Sequence, residues 1–225
     1  MSRNLEESTL LKFENTELHV AGSRYLLIRL LSEKREVWSN ERVAVFSAQR
    51  LPDLLSAVVK MYIQLNPRLL PAPENPVHVI SNNKRTFGVE VQALKECFPA
   101  CEERTPQLIG SSDDTQSREW EYPGGYLHLI AMSQHPGLPV DQIYDLSESE
   151  ALNIKKELIS ILKGMQSAGW EYSTGDAAKV NYDRPSKKVY LAGFARAEKE
   201  DPRDIGPITE KNTVIWQFGL NIWRF

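Results

Sequence analysis

The run Ala57-Val58-Val59-Lys60-Met61-Tyr62-Ile63 decides how the rest of the chain is read. It is short, β-branched and aromatic, and period-two alternation puts Val58, Lys60 and Tyr62 on one face of a strand and Ala57, Val59, Met61 and Ile63 on the other. A lysine therefore stands among apolar neighbours. An ammonium buried without an anion is costly, and Glu90 is the nearest plausible partner in the sequence. The plainer alternative has Lys60 snorkelling at a sheet edge and Glu90 solvated on a helix.

Working outward, residues 20–65 are rich in Val, Leu, Ile and Tyr, with polar breaks at Ser32-Glu33-Lys34-Arg35, Ser39-Asn40-Glu41 and Gln49-Arg50-Leu51-Pro52-Asp53. This predicts three strands, the run around Lys60 being the third. A proline-rich connector, Pro67 to Pro76, precedes a helix expected over 88–98, with Val89, Ala93, Leu94 and Cys97 on its buried face and Pro99 ending it. Residues 111–117 read as a polar loop and 126–132 as an apolar strand. Ser147-Glu148-Ser149-Glu150 has the form of a capping box, followed by Ala151, Ile154, Leu158, Ile161, Leu162 and Met165 at helical spacing, with Gly169 placed to close the helix. Two short strands, 180–182 and 188–192, are joined as a hairpin through Asp183-Arg184-Pro185-Ser186-Lys187.

Composition narrows the function. The 225 residues allow a large single domain, a two-lobed domain or two small ones, and 41% hydrophobic with 25% charged residues is a globular balance. With 27 basic against 30 acidic side chains, the net charge of -3 gives no excess positive field for nucleic acid or anionic lipid, so neither is expected as a partner. No apolar run approaches the ~20 residues that cross a bilayer. The start, Met1-Ser2-Arg3-Asn4-Leu5-Glu6-Glu7, is too acidic and polar for a signal peptide, so a cytoplasmic or otherwise intracellular location is expected. Cys97 and Cys101 read as reduced, structural thiols, and His19, His78, His128 and His135 lack metal-ligand spacing.

The order of these elements resembles the two-lobed protein-kinase fold. Ala57-Val58-Val59-Lys60 is similar to that family's V-A-I-K strand, and Glu90 lies where the following helix carries the glutamate that pairs with the lysine. Residues 132–137 resemble the hinge, and 147–169 the long helix before the catalytic loop. Asp176-Ala177-Ala178-Lys179-Val180-Asn181 repeats the spacing in which an aspartate orients the attacking hydroxyl and an asparagine holds a metal ion. The run 189–197 is similar to the strand and turn carrying D-F-G, and Trp216-Gln217-Phe218-Gly219 to the start of the large helix beyond. The resemblance implies an α+β fold with a β-rich N-terminal lobe over 24–134 and a mainly helical, truncated C-terminal lobe over 135–225, after a tail or docking segment over 1–23. It makes Asp176 the catalytic residue, Lys60 and Glu90 the nucleotide-binding pair and Asn181 the metal ligand, with ATP and Mg as cofactors.

The departures fall where phosphate and metal would be handled. Gly193 stands where D-F-G supplies the metal-binding aspartate. The phosphate-covering turn, near 37–43, has no glycine and places Glu41 where it would repel a triphosphate. Thr174 and Gly175 replace the His and Arg before the catalytic aspartate, and Val214 replaces an aspartate that braces the loop. The expectation is a catalytically impaired, pseudokinase-like domain that binds or regulates a protein partner. The alternatives are a divergent active phosphotransferase acting on hydroxyls, with nucleotide as ligand, and an α+β interaction domain unrelated to kinases.

Overall fold

The stretch around Lys60 forms a strand of a six-stranded sheet. Its strands are β1 (Glu17–Val20), β2 (Ser23–Glu36), β3 (Glu41–Leu51), β4 (Leu55–Gln64), β5 (Leu108–Thr115) and β6 (Tyr126–Ser133). They lie in the order β1-β2-β3-β4-β6-β5, with every neighbouring pair antiparallel. The computed structural model describes residues 9–69, 75–201, 206–209 and 218–219. Within them the chain groups into two compact units, Met1–Phe87 with Leu108–Gln134, and Gly88–Gln107 with His135–Phe225.

In the first unit the expected alternation holds. Ala57, Val59, Met61 and Ile63 join Ala44, Phe46 and Ala48 of β3 and Leu127, Leu129 and Ala131 of β6 in one apolar core, which Leu10, Val20, Tyr25, Leu27 and Leu30 complete. Cross-strand register places Glu41 opposite Gln64, Lys60 opposite Ile130, and Tyr62 opposite His128, so the other face is largely polar. The described part of the N-terminal segment belongs to this unit. Leu10 is buried in the core, Phe13 stacks on Trp120 with ring centroids 4.4 Å apart, and β1 pairs with β2.

Two strand readings need correction. Ser32-Glu33-Lys34-Arg35 is no break, because β2 runs on to Glu36 through two bulges, paired with β3. Arg42 reaches across to Glu33 at 2.6 Å, so charged residues there neutralise one another in the strand. The expected loop at 111–117 is mostly β5, an end strand of the sheet, whose exposed Asp113, Asp114 and Thr115 suit an edge that meets water. The sheet also curls. A Cβ built on Gly110 of β5 would lie 2.9 Å from the Cβ of Ala21, just past β1, so the two end strands approach closely at a residue that has no side chain.

The first helix, α1 (Pro76–Ala100), is 25 residues long and begins twelve residues before the expected start. Pro76 at its first turn needs no hydrogen-bond partner, and Asn75 Oδ1 accepts the Val77 N–H at 3.0 Å, so the connector's last residues start the helix. Residues 70–74 of that connector lie outside the described residues. The buried positions Asn83, Glu90, Ala93, Leu94 and Cys97 recur at helical spacing, and Pro99 stands one residue before the end.

The second unit packs the latter part of α1 with α2 (Glu148–Ser167). Both capping-box bonds are present, and Ala151, Ile154, Leu158, Ile161, Leu162 and Met165 are the buried stripe. Gly169 closes the helix at φ 75°. At Gly164 a Cβ would lie 2.5 Å from the Ala100 carbonyl, so glycine permits the two helices to touch there. Burial pushes both the Cys97 and the Cys101 thiols up to about 12, which keeps them protonated and inert. The remaining described strands are short: β7 (Leu138–Pro139), β9 (Val180–Asp183) and β10 (Lys188–Leu191) in one small sheet, and β8 (Trp170–Tyr172) with β11 (Ala197–Lys199) in another. The readings at Val214 and Trp216 lie outside the described residues. No described helix is long and apolar enough to cross a membrane.

Candidate functional site

Of the residues singled out in the sequence, Lys60 belongs to the first unit, and Glu90, Asp176 and Asn181 to the second. Lys60 is 8% exposed on β4, with its Nζ 4.7 Å from the centroid of the Tyr62 ring, a cation held over an aromatic face. The sheet face around it is built from polar groups that strand register brings together. Tyr126 Oη donates to Glu41 Oε1 at 2.9 Å and accepts from Asn83 Nδ2 at 2.7 Å, and the same Asn83 amide donates to the Ser39 carbonyl at 2.7 Å. Gln64 Oε1 accepts the Tyr126 N–H, and Gln116 Nε2 donates to the Gln64 and Tyr126 carbonyls.

Glu41 is the least comfortable member of this network. It is 6% exposed, and burial pushes its carboxyl up to about 7, against hydrogen bonds from Tyr126 and Ser39 and the positive charge of Lys60, which favour ionisation. Burial also raises the Tyr126 hydroxyl, aided by the charge of Glu41, so the phenol stays a donor. Beside it His128, 1% exposed, is stacked between Phe87 and Tyr126 and meets Asp113 Oδ1 through Nε2 at 3.1 Å. Burial lowers its pKa against the pull of Asp113, so it stays neutral at pH 7.

In the second unit, Asp176 caps the short 3-10 turn Ala177–Lys179, accepting the Ala178 N–H at 2.9 Å. Asn181 follows on β9, paired with Tyr190 of β10 and Pro139 of β7. The turn at Gly193 adopts φ 84°, a backbone conformation that favours glycine, and its nearest neighbour is the flexible Lys179 side chain. Tyr172 Oη donates to the carbonyls of Ala192 and Gly193, at 2.9 and 3.0 Å. Burial raises its pKa first, followed by the negative charges of Asp176 and Glu90. The Tyr172 hydroxyl thus holds the Gly193 turn and feels the charges of Asp176 and Glu90. Among the described residues, no group of three or more His, Cys, Asp or Glu is placed to hold a metal ion.

Sequence reasoning named Glu41 only as a repulsive charge and missed Tyr126, Asn83, Gln64 and Tyr172. Each is one polar residue in an otherwise ordinary element. Its role appears only when residues 20 to 85 positions apart are brought into contact.

No protein-family model and no curated protein matches the chain. Among solved structures it is similar to "Structure of vaccinia related kinase 3", with a TM-score of 0.50 at 14% sequence identity over 83% of this chain. The chain spans about half the length of that one, 52%. At this identity the likeness concerns the fold alone: a mixed α+β chain with a β-rich sheet and two helices, protein-kinase-like in its architecture.

Proposed function

We propose that the chain is a protein-kinase-like domain in which phosphoryl transfer is impaired, and that it works by binding and regulating a protein partner. The observation that carries this reading is Glu41, a carboxylate buried at the end of the turn where a kinase would cover nucleotide phosphates with glycine backbone. An acid at this place opposes a polyanion, and its neighbour Lys60 already offsets part of its charge. Gly193 adds to the case, since it offers no side-chain oxygen to accompany Asn181. The residues present do not make up a magnesium site of the kinase kind. Losing one preorganised electrostatic group in such a reaction costs about 3 to 4 kcal/mol, and here several are altered. On this reading Lys60 and Glu90 keep structural roles.

The test is a melting curve with and without ATP and Mg. A ligand at ~100 times its dissociation constant adds about 2.7 kcal/mol, so binding would be plain as a shift, and none is expected. Magnesium-dependent phosphate transfer that Asp176→Ala abolishes would overturn the proposal. It would favour the second reading, a divergent phosphotransferase with Lys60 on the phosphates, Asp176 as base and Asn181 as metal ligand. That reading draws support from the capping geometry of Asp176, which fixes the loop leading to Asn181.

A further inference from the structure

We propose that the outward stripe of α2 is a docking face for an acidic, amphipathic helical segment of a protein partner, one that carries carboxylates between apolar residues. The face lies wholly in the second unit. It deepens the partner-binding reading by giving it a surface and a chemistry, and its test involves neither nucleotide nor phosphoryl transfer, so the two stand or fall separately.

The buried stripe of α2, from Ala151 to Met165, leaves a second stripe turned to solvent. Leu152, Lys156, Ile159 and Lys163 recur on it at spacings of four, three and four residues, one above the next over about 17 Å of helix. Leu152 is 61% exposed, Lys156 and Lys163 are exposed, and Ile159 is half-buried. A leucine gains nothing by standing in water, and only a partner could cover it there.

The charge of this stripe is unopposed. A solvated helix face usually mixes signs, with a glutamate one turn from a lysine. From Leu152 to the end of α2 at Ser167 the sequence holds one acid, Glu157, and Arg104 takes it at 2.8 Å. The turn between β9 and β10 brings further positive charge to the same place. Asn153 Nδ2 donates to the Lys187 carbonyl at 3.0 Å, and Asn153 and Lys156 stand one turn apart. Lys187 and Lys188 are exposed, while the next residue, Val189, is fully buried, as strand alternation requires. Among the described residues none of these four lysines is in an ion pair. Arg184 of the same turn is already bound to Asp145 and Glu150. Four free ammonium groups thus collect on one face of a chain whose net charge is -3.

Charge and spacing together select the occupant. Lysines set along a helix match carboxylates at the same spacing on a second helix, and Leu152 and Ile159 between them suit apolar side chains, which a phosphate backbone or a lipid headgroup does not offer. Asp145, Glu148 and Glu150, at the start of α2, would repel a long polyanion laid along the helix.

The probe is a synthetic helix of about 16 residues with glutamates and leucines at the spacing of the stripe, beside an analogue with glutamine for each glutamate. Titrated into the full chain and followed by amide NMR, the acidic helix should shift the signals of residues 152–163 and 187–188, and the neutral analogue should not. Affinity should fall several-fold between about 0.05 M and 0.3 M salt. It should fall about tenfold in the double variant Lys156→Glu, Lys163→Glu, about fivefold in Leu152→Ser, and not at all in Arg35→Glu of the first unit. All these positions are exposed, so equal melting temperatures would separate lost docking from lost fold. Absence of shifts with the acidic helix, equal binding of the two peptides, or unchanged affinity in the double variant would overturn the proposal. So would duplex DNA or phosphatidylserine vesicles that bind this face as tightly as the helix with no effect of Leu152→Ser, which would make it a general polyanion surface. A melting shift with ATP and Mg would count against the impaired-kinase reading and leave this docking face in place.

Discussion

The two faces of the six-stranded sheet are both buried, yet they are held by different physics. One face interdigitates Phe46, Val59, Met61, Ile63, Leu127 and Leu129, and its stability comes from apolar area removed from water. The other carries Glu41, Lys60, Gln64 and His128, all less than a tenth exposed, beside the half-buried Tyr126, and each must find a partner or lose free energy. Stability alone would favour the first solution on both faces. A buried carboxyl that folding drives toward neutrality is a group retained against stability, and such groups gather at functional sites.

The comparison breaks most sharply at the apolar face. Phe46→Ala should destabilise the protein by about 3 to 5 kcal/mol in denaturant unfolding, equally at pH 5 and pH 8, because no titrating group is involved. Glu41→Gln should do the reverse. Its carboxyl titrates near 7 in the fold against an ordinary 4.5, so the folded state holds the extra proton between those values and stability falls as pH rises from about 4.5 to about 7. The glutamine keeps an acceptor for Tyr126 and should gain up to about 3 kcal/mol at pH 8 and little at pH 4. Equal gains at both pH values would show that the carboxylate is not the destabilising group. Tyr126→Phe removes the donor to Glu41 and the acceptor for Asn83, and should cost about 1 to 3 kcal/mol, more at pH 8 than at pH 5. The smallest effect belongs to His128. Its folded pKa is lowered, so its contribution to stability is lost as pH falls below its ordinary 6.5, opposite in sense to Glu41. His128→Phe should flatten that acid limb of the melting curve, an effect on the order of 1 kcal/mol.

The apolar face and the helices were legible from local pattern. The parity of residues 57–63 gave the correct faces of β4, and Ser147 and Glu150 marked the start of α2, because alternation and capping are set by near neighbours. The first half of α1 was hidden by prolines that a helix tolerates at its first turn, and β5 by polar residues that an edge strand tolerates. The polar face was not legible at all. Glu41, Asn83 and Tyr126 are ordinary in their own segments, and only the pairing of β3, β4 and β6 makes them a network. The Asp176–Asn181 spacing could be seen in the sequence, while the tyrosine that holds the Gly193 turn could not.

The near meeting of Gly110 and Ala21 has a consequence for association. A sheet normally offers its rims as templates on which a foreign strand can add, but here β1 is only four residues long, and the sheet curls until its two rims crowd each other at a spot with no room for a methyl group. At that seam a visiting chain would find no backbone to zip onto. Recognition at the seam must therefore be written in side chains, and a Gly110→Ala change, by prising it apart, should make the molecule stickier.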